Sequence, residues 1–240
     1  MGLRVLSYRN IVFLTGAGIS TASGLSAFRG FGGLWERFDC NSHATRAAWN
    51  AEPMRVWKLI SVMRKEARTS RPNVAHLAIS HLECSLNQGQ SIALVTQNVD
   101  GLHQAAGSRN VLELHGRLAR TRCSNAGCSL EPFEDWRTYE QEVPSCPLCG
   151  AFLRPDVVLF GERIHHYIPA RAAVERCDIL VSVGTSGLVS PASSFVHIAN
   201  FAGARTVLVT LNANLKLVSA YQEVYVGPAE EILPALLSTE

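Results

Sequence analysis

The chain has 240 residues, a formal net charge of +2 and 47% hydrophobic residues, which is enough to bury one sizeable core, or one core with a small insertion. Without a basic tract, so small a charge gives no ground for a nucleic-acid or membrane-surface protein. The apolar runs are too short to span a bilayer.

In chain order, apolar runs rich in Val, Ile and Leu predict strands over 11–15, 91–96, 111–114, 157–160, 179–183 and 206–211. Helical patterns fall between them, over 53–67, 73–86, 169–176, 190–202 and 229–237. Pro53 and Pro191 stand in expected first turns, and Gly107 and Gly203 where helices should stop. The alternation predicts an α/β protein with a Rossmann-like parallel sheet. It breaks between Arg120 and Arg154, a stretch rich in turn formers that reads as a small inserted module.

The first strand runs into Gly16-Ala17-Gly18 and a turn rich in Ser, Thr and Ala. Glycines there let a backbone approach a pyrophosphate, and N–H groups at a helix start point at its charge. The third glycine of the usual fingerprint is replaced by Thr21. The second strand ends in Gln97, Asn98 and Asp100, polar groups at the carboxyl end where parallel sheets bind ligands. His115 follows the third strand beside Gly116, placed to take a proton from a hydroxyl in a cleft. Later strands end in Gly184-Thr185-Ser186 and in Asn212-Ala213-Asn214, which suit ribose and phosphate contacts.

The chain carries seven cysteines and has no apolar leader before a small-residue cleavage site, so a cytoplasmic setting without disulfides is expected. Cys123 and Cys128 (C-x4-C) with Cys146 and Cys149 (C-x2-C) fit one tetrahedral thiolate zinc site. Four protein ligands leave no open position, so the Zn2+ is expected to be structural, holding a module too poor in apolar residues for its own core. Cys84 and Cys177 are expected to be buried small residues.

Together these stretches resemble the sirtuins, the NAD-dependent protein lysine deacylases. The matching motifs are GAGIS (16–20), SGLSAFRG (23–30), GGLW (32–35), TQNVDGLHQAAG (96–107), LELHG (112–116), LRPDVVLFGE (153–162), VGTS (183–186), LNAN (211–214) and GPAEE (227–231), with the cysteine pairs, in family order over nearly the whole chain. The resemblance implies one catalytic unit. Its Rossmann-like large domain would take residues 1–35, 88–119 and 155–240. Its small domain would take 36–87 and the zinc module 120–154.

By the same resemblance, NAD and an acylated lysine of a protein or peptide meet between the domains. Gly16, Ala17, Gly18 and Ser20 would hold the pyrophosphate. Phe28, Arg29 and Trp35 would belong to the cofactor loop region, Gln97 would contact the ribose, and Asn98 and Asp100 would shape the nicotinamide pocket. Gly184, Thr185, Ser186, Asn212, Asn214 and Ala229 would line the adenosine half. Val157, Val158 and Phe160 would pair with the substrate backbone by strand addition. Nicotinamide leaves the ribose as the acyl oxygen attacks, and His115, with Asn98 beside it, then acts as general base on a ribose hydroxyl. Free lysine, nicotinamide and acyl-ADP-ribose are the implied products.

Two departures bear on function. Leu25-Ser26-Ala27 replaces the usual Pro- and Asp-bearing segment before Phe28-Arg29. The overall pattern is nearest the class III sirtuins, yet Ile60 and Met63 stand where many of those carry a Tyr-x-x-Arg pair for succinyl or malonyl carboxylates. An unpaired buried carboxylate is costly, so acetyl or longer apolar acyl groups are expected instead. Mono-ADP-ribosyl transfer, NAD hydrolysis and non-catalytic NAD sensing are the competing functions. No nucleic-acid or membrane partner is expected, and the chain is expected to be a monomer.

Overall fold

The computed structural model describes residues 5–28, 32–187, 189–212 and 215–238. Nine strands and ten α-helices are named among them. The strands are β1 (Asn10–Thr15), β2 (Ser91–Thr96), β3 (Val111–Glu113), β4 (Gly116–Cys123), β5 (Phe133–Glu134), β6 (Leu153–Val157), β7 (Ile179–Val183), β8 (Arg205–Thr210) and β9 (Glu223–Val226). The helices are α1 (Leu34–Arg37), α2 (Cys40–His43), α3 (Arg46–Ala51), α4 (Pro53–Thr69), α5 (Val74–Cys84), α6 (Leu102–Ala105), α7 (Tyr167–Glu175), α8 (Phe195–Phe201), α9 (Leu215–Val218) and α10 (Ala229–Leu237).

Six strands form a parallel sheet in the order β3-β2-β1-β7-β8-β9. Alternation along β1 explains its two covered faces. Ile11 and Phe13 pack into a core with α5 and α10, whereas Val12 and Leu14 pack into another with α7 and α8. Strand order reverses between β1 and β7, so the crevice at their carboxyl ends is the topological switch point where such sheets take ligands.

A second sheet, β5-β4-β6, is antiparallel and carries the cysteine module. Helix α4 joins it to a third core, in which Trp57, Ile60 and Met63 pack with Leu118, Val157 and Leu159. Pro53 sits in the first turn of α4, and Asn73 caps α5 by accepting from Ala75 N.

The structure corrects several expectations. The run 157–160 is not a strand of the parallel sheet. Leu153–Val157 pairs antiparallel with β4, and the ladder then ends as Val158 N donates to His115 O and Leu159 N to Glu162 Oε2. Beyond it, Phe160 makes an isolated parallel bridge to Thr45. Helix α5, placed with the small domain in sequence, packs on the large sheet against α10, because Ala75, Ile79 and Leu82 face Ile11 and Phe13. The helical stretch from 190 opens instead with a 3-10 turn, Ala192–Ser194, before α8. Cys177 is buried, but Cys84 is exposed at the end of α5, on the face turned from the sheet.

Candidate active site

The polar candidates gather at the carboxyl ends of the parallel strands. After β1, Gly16 N donates to Val183 O (3.0 Å) and Gly18 N to Gly184 O (2.9 Å), locking the loop onto the end of β7. The approach is so close that a Cβ on Gly18 would lie 2.7 Å from the Gly184 Cα, and one on Gly184, at φ +60, 2.4 Å from Ile19 N. These positions need glycine for backbone contact, which leaves a side-chain-free cradle at the switch point. Ala229 is buried at the start of α10, which packs on the turn Ala17–Ile19.

Gln97 Oε1 accepts from Thr185 Oγ1 (3.2 Å), bridging the ends of β2 and β7. Ser186 and Asn212 are exposed, and Asn212 N donates to Thr210 Oγ1. Arg29 and Asn214 lie outside the described residues.

Asn98 is 5% exposed, and its Nδ2 donates to Gly16 O (3.1 Å) and Ser20 Oγ (3.2 Å). Ser20 Oγ donates to Asp100 Oδ2 (2.8 Å), whose other oxygen accepts from Leu102 N. His76 completes the set. Its Nδ1 accepts from Asn73 N, so its Nε2 carries the proton and donates to Ser20 Oγ (3.4 Å). The Ser20 hydroxyl thus accepts twice and donates once. Burial pushes the Asp100 carboxyl upward and His76 down to about 4.

Beneath lies a second buried polar chain. Thr15 Oγ1 donates to Thr96 Oγ1 (2.8 Å), so it accepts from His103 Nε2 (2.9 Å), and Thr96 Oγ1 accepts from Asn98 N. Burial and the neighbouring His76 push His103 down to about 3. Sequence reasoning did not assign His76, His103, Thr15 or Thr96. The spacing from Asn73 to His76 at a helix start was the one available signal, a capping box with histidine in the third position.

His115 Nδ1 lies 2.8 Å from Gln97 O. A carbonyl only accepts, so Nδ1 carries the proton and Nε2 is left as an acceptor. Burial lowers the His115 pKa despite that hydrogen bond, which keeps the imidazole neutral and basic near neutral pH.

A cavity beside this cluster is lined by Ala17, Ser20, Phe28, Asn98 and Asp100 on one side and by Leu34, Met63, Glu66 and Leu118 on the other. Leu25 and Ser26 of the altered loop segment line it as well. Ile60 does not, being buried in the core of α4. Phe28 packs on Trp35 (5.4 Å between ring centroids), and Trp35 packs on Phe160 (6.4 Å). Val157 is buried, Val158 half-buried and Phe160 exposed.

The four cysteines of the module bring their Sγ atoms within 4.8 Å of one another. Cys123 and Cys149 are 3.5 Å apart, and Cys128 and Cys146 3.7 Å. Ligands on a tetrahedral Zn2+ at roughly 2.3 Å lie roughly 3.8 Å apart, so this donor set fits the metal. Asn125 N and Leu130 N donate to Cys123 and Cys128 sulfurs. No other group of three or more metal-ligating side chains forms a cluster among the described residues.

A parallel sheet with its switch-point cradle, a histidine at the end of the third strand and a separate four-cysteine module define a nucleotide-cleft protein with a structural metal knuckle. The Sir2 family model matches residues 16–191, and the chain belongs to the Sir2 family. A relative from Aeropyrum pernix named NAD-dependent protein deacylase is 44% identical over 209 residues, covering 86% of this chain and 82% of its own. A crystal structure of a Sir2 homolog–NAD complex has a TM-score of 0.85 at 36% identity, covering 97% of this chain and 90% of that one. A structure of Sir2 bound to acetylated peptide has a TM-score of 0.80 at 26% identity, covering 95% and 92%.

Proposed function

We propose that the chain is an NAD-dependent protein lysine deacylase that prefers acetyl or apolar acyl groups and releases nicotinamide, acyl-ADP-ribose and free lysine. The observation that carries the reading is His115. It is a neutral imidazole at a strand end, fixed through Nδ1 to Gln97 O and left with Nε2 free to accept a proton. NAD supplies the ribose that takes the acyl group once nicotinamide has left. The glycine cradle at the switch point suits its pyrophosphate, because Gly16, Gly18 and Gly184 leave backbone and no side chain there.

The chain's own groups have distinct tasks in this reading. Ser20, Asn98 and Asp100, tied together by hydrogen bonds, shape a rigid polar pocket for the nicotinamide amide. Phe28, stacked with Trp35, shields the reacting centre from water. Thr185 orients Gln97 toward the ribose, and Ser186, Asn212 and Ala229 flank the adenosine half. The backbone at Val158 and Phe160 contacts the peptide, although both amides already donate, to His115 O and Ala44 O. The four cysteines hold one Zn2+ away from the chemistry, with no open ligand position for a water.

Met63 supports the acyl preference, because it lines the cavity where a carboxylate-binding arginine would be needed, and Glu66 on the same wall already holds Arg37 (2.9 Å). A succinyl or malonyl carboxylate finds no free cationic partner among these lining side chains. Matched acetyl-, succinyl- and longer-acyl-lysine peptides test this directly. Succinyl turnover is expected well below acetyl, and equal kcat/KM for the two removes the preference.

A further inference from the structure

A second, larger groove, of about 760 Å³, has Asp100 in its wall. It is bounded by the end of α4, by the loop and α6 that follow β2, by β4 and by the cysteine module. Four arginines line it: Arg68, Arg71, Arg117 and Arg120. A regular strand would point Arg117 and Arg120 to opposite faces, but the β4 register shifts between Gly116 and Thr121, and both reach the groove.

The counter-charges are few. Arg117 lies 3.4 Å from Glu113, and Arg120 lies 3.5 Å from Asp156. Arg71 donates only to backbone carbonyls of Arg68 and Ser70, and neither Arg68 nor Arg71 has a carboxylate partner among the described residues. Of the acids lining the groove, Asp100 is engaged by Ser20 and Leu102 N, and Glu134 by Trp136 Nε1. Between the arginines the lining is mixed: Ala105, Pro132 and the half-buried Trp136 are apolar, and Ser70 and Glu134 are polar.

We propose that this groove docks acidic, apolar-punctuated segments of the protein substrates, a second contact beyond the acyl-lysine channel. Guanidinium forks match carboxylates bidentately, and the Trp136 ring offers contact to an apolar side chain between them. A substrate strand held mainly through its backbone carries little sequence information, so a charged groove elsewhere on the surface would supply the selection. A nucleic acid could use the arginines, but a chain of net charge +2 without a basic tract offers it little else. The inference rests on the deacylase reading for the word substrate, whereas the groove's affinity can be measured without it.

The test uses a fluorescein-labelled Glu/Leu peptide without lysine, and an acetyl-lysine peptide with and without that acidic stretch appended. The groove predicts saturable binding of the labelled peptide that survives saturating NAD and weakens about tenfold in Arg68→Glu/Arg71→Glu. It also predicts that the appended stretch lowers KM, not kcat, in the unaltered protein alone. The short acetyl-lysine peptide should be turned over alike by both. Equal binding by the variant, tighter binding of single-stranded oligo(dT) through the same arginines, or binding with no effect on KM would each overturn the proposal. Failure of the unaltered protein to deacylate the short peptide, with acidic-peptide binding intact, would instead sink the deacylase reading.

Discussion

At the scale of the residue, the proposed deacylation depends on which nitrogen of His115 carries the proton. Gln97 O fixes that at Nδ1, and burial keeps the ring neutral. His115→Ala should therefore lower release of free lysine by about 10²–10⁴-fold, measured as kcat with saturating NAD, while the fold stays intact by circular dichroism. The pH dependence follows from the direction of the shift. A lowered pKa keeps the base unprotonated further into acid, so the acidic limb of kcat/KM should fall below the ordinary histidine value of about 6.5. A limb above that value would contradict the assignment. His115, Asn98 and the four cysteines were legible in the sequence because each sits in a short motif at a strand end or a metal spacing. His76 and His103 were not, because their partners Ser20 and Thr15 lie far away in the chain and meet them only after the sheet has formed. Nor did the sequence separate Ile60 from Met63. Both are buried on one helix, and only the packing of Leu34 and Leu118 decides which of them meets the cavity.

At the scale of the element, α4 connects the cavity to the cysteine module through Arg64, the neighbour of Met63. Its fully buried guanidinium donates to Leu118 O, Arg137 O, Arg120 O and Thr121 Oγ1, lies 3.5 Å from Asp135, and sits 5.1 Å from the Trp57 ring. Removing it strands those buried acceptors, while Asp135 keeps Arg137, Thr121 and Tyr139, so Arg64→Ala should destabilise the protein by about 2 kcal/mol or more in urea unfolding. The module itself has a core of little beyond Cys123, Cys146 and Leu153. Zinc removal by a chelator should therefore loosen β4, β5 and β6 first, seen as faster amide exchange there than in β1 and β7. Five of the six parallel strands were readable because they are continuously apolar. The edge strand β9, Glu-Val-Tyr-Val, half-buried or exposed along its length, was not readable. Strand β4, Gly-Arg-Leu-Ala-Arg-Thr-Arg-Cys, was not, since arginines on a half-solvated antiparallel strand look like a loop.

At the scale of the whole molecule, the buried histidine pair makes folding sensitive to acid. His76 and His103 pack with tilted rings 4.8 Å apart between centroids, and burial takes them down to about 4 and about 3 in the folded protein against about 6.5 in an unfolded chain. Between those values the unfolded state binds more protons, so stability should fall as pH drops from about 6.5 toward 4. Thermal unfolding followed across that range checks the sign, and replacing His103 by Gln should flatten the slope. No helix among the described residues is long and apolar enough to cross a membrane. The two sheets meet around one cleft, with the glycine cradle and His115 on the large one and the metal knuckle on the small one.

The most direct measurement follows free lysine and nicotinamide together from an acetyl-lysine peptide and NAD, in the unaltered protein and in His115→Ala. Equal amounts of the two products, with lysine release lost in the variant, are predicted. Nicotinamide without free lysine, or lysine release undiminished in His115→Ala, would contradict the account.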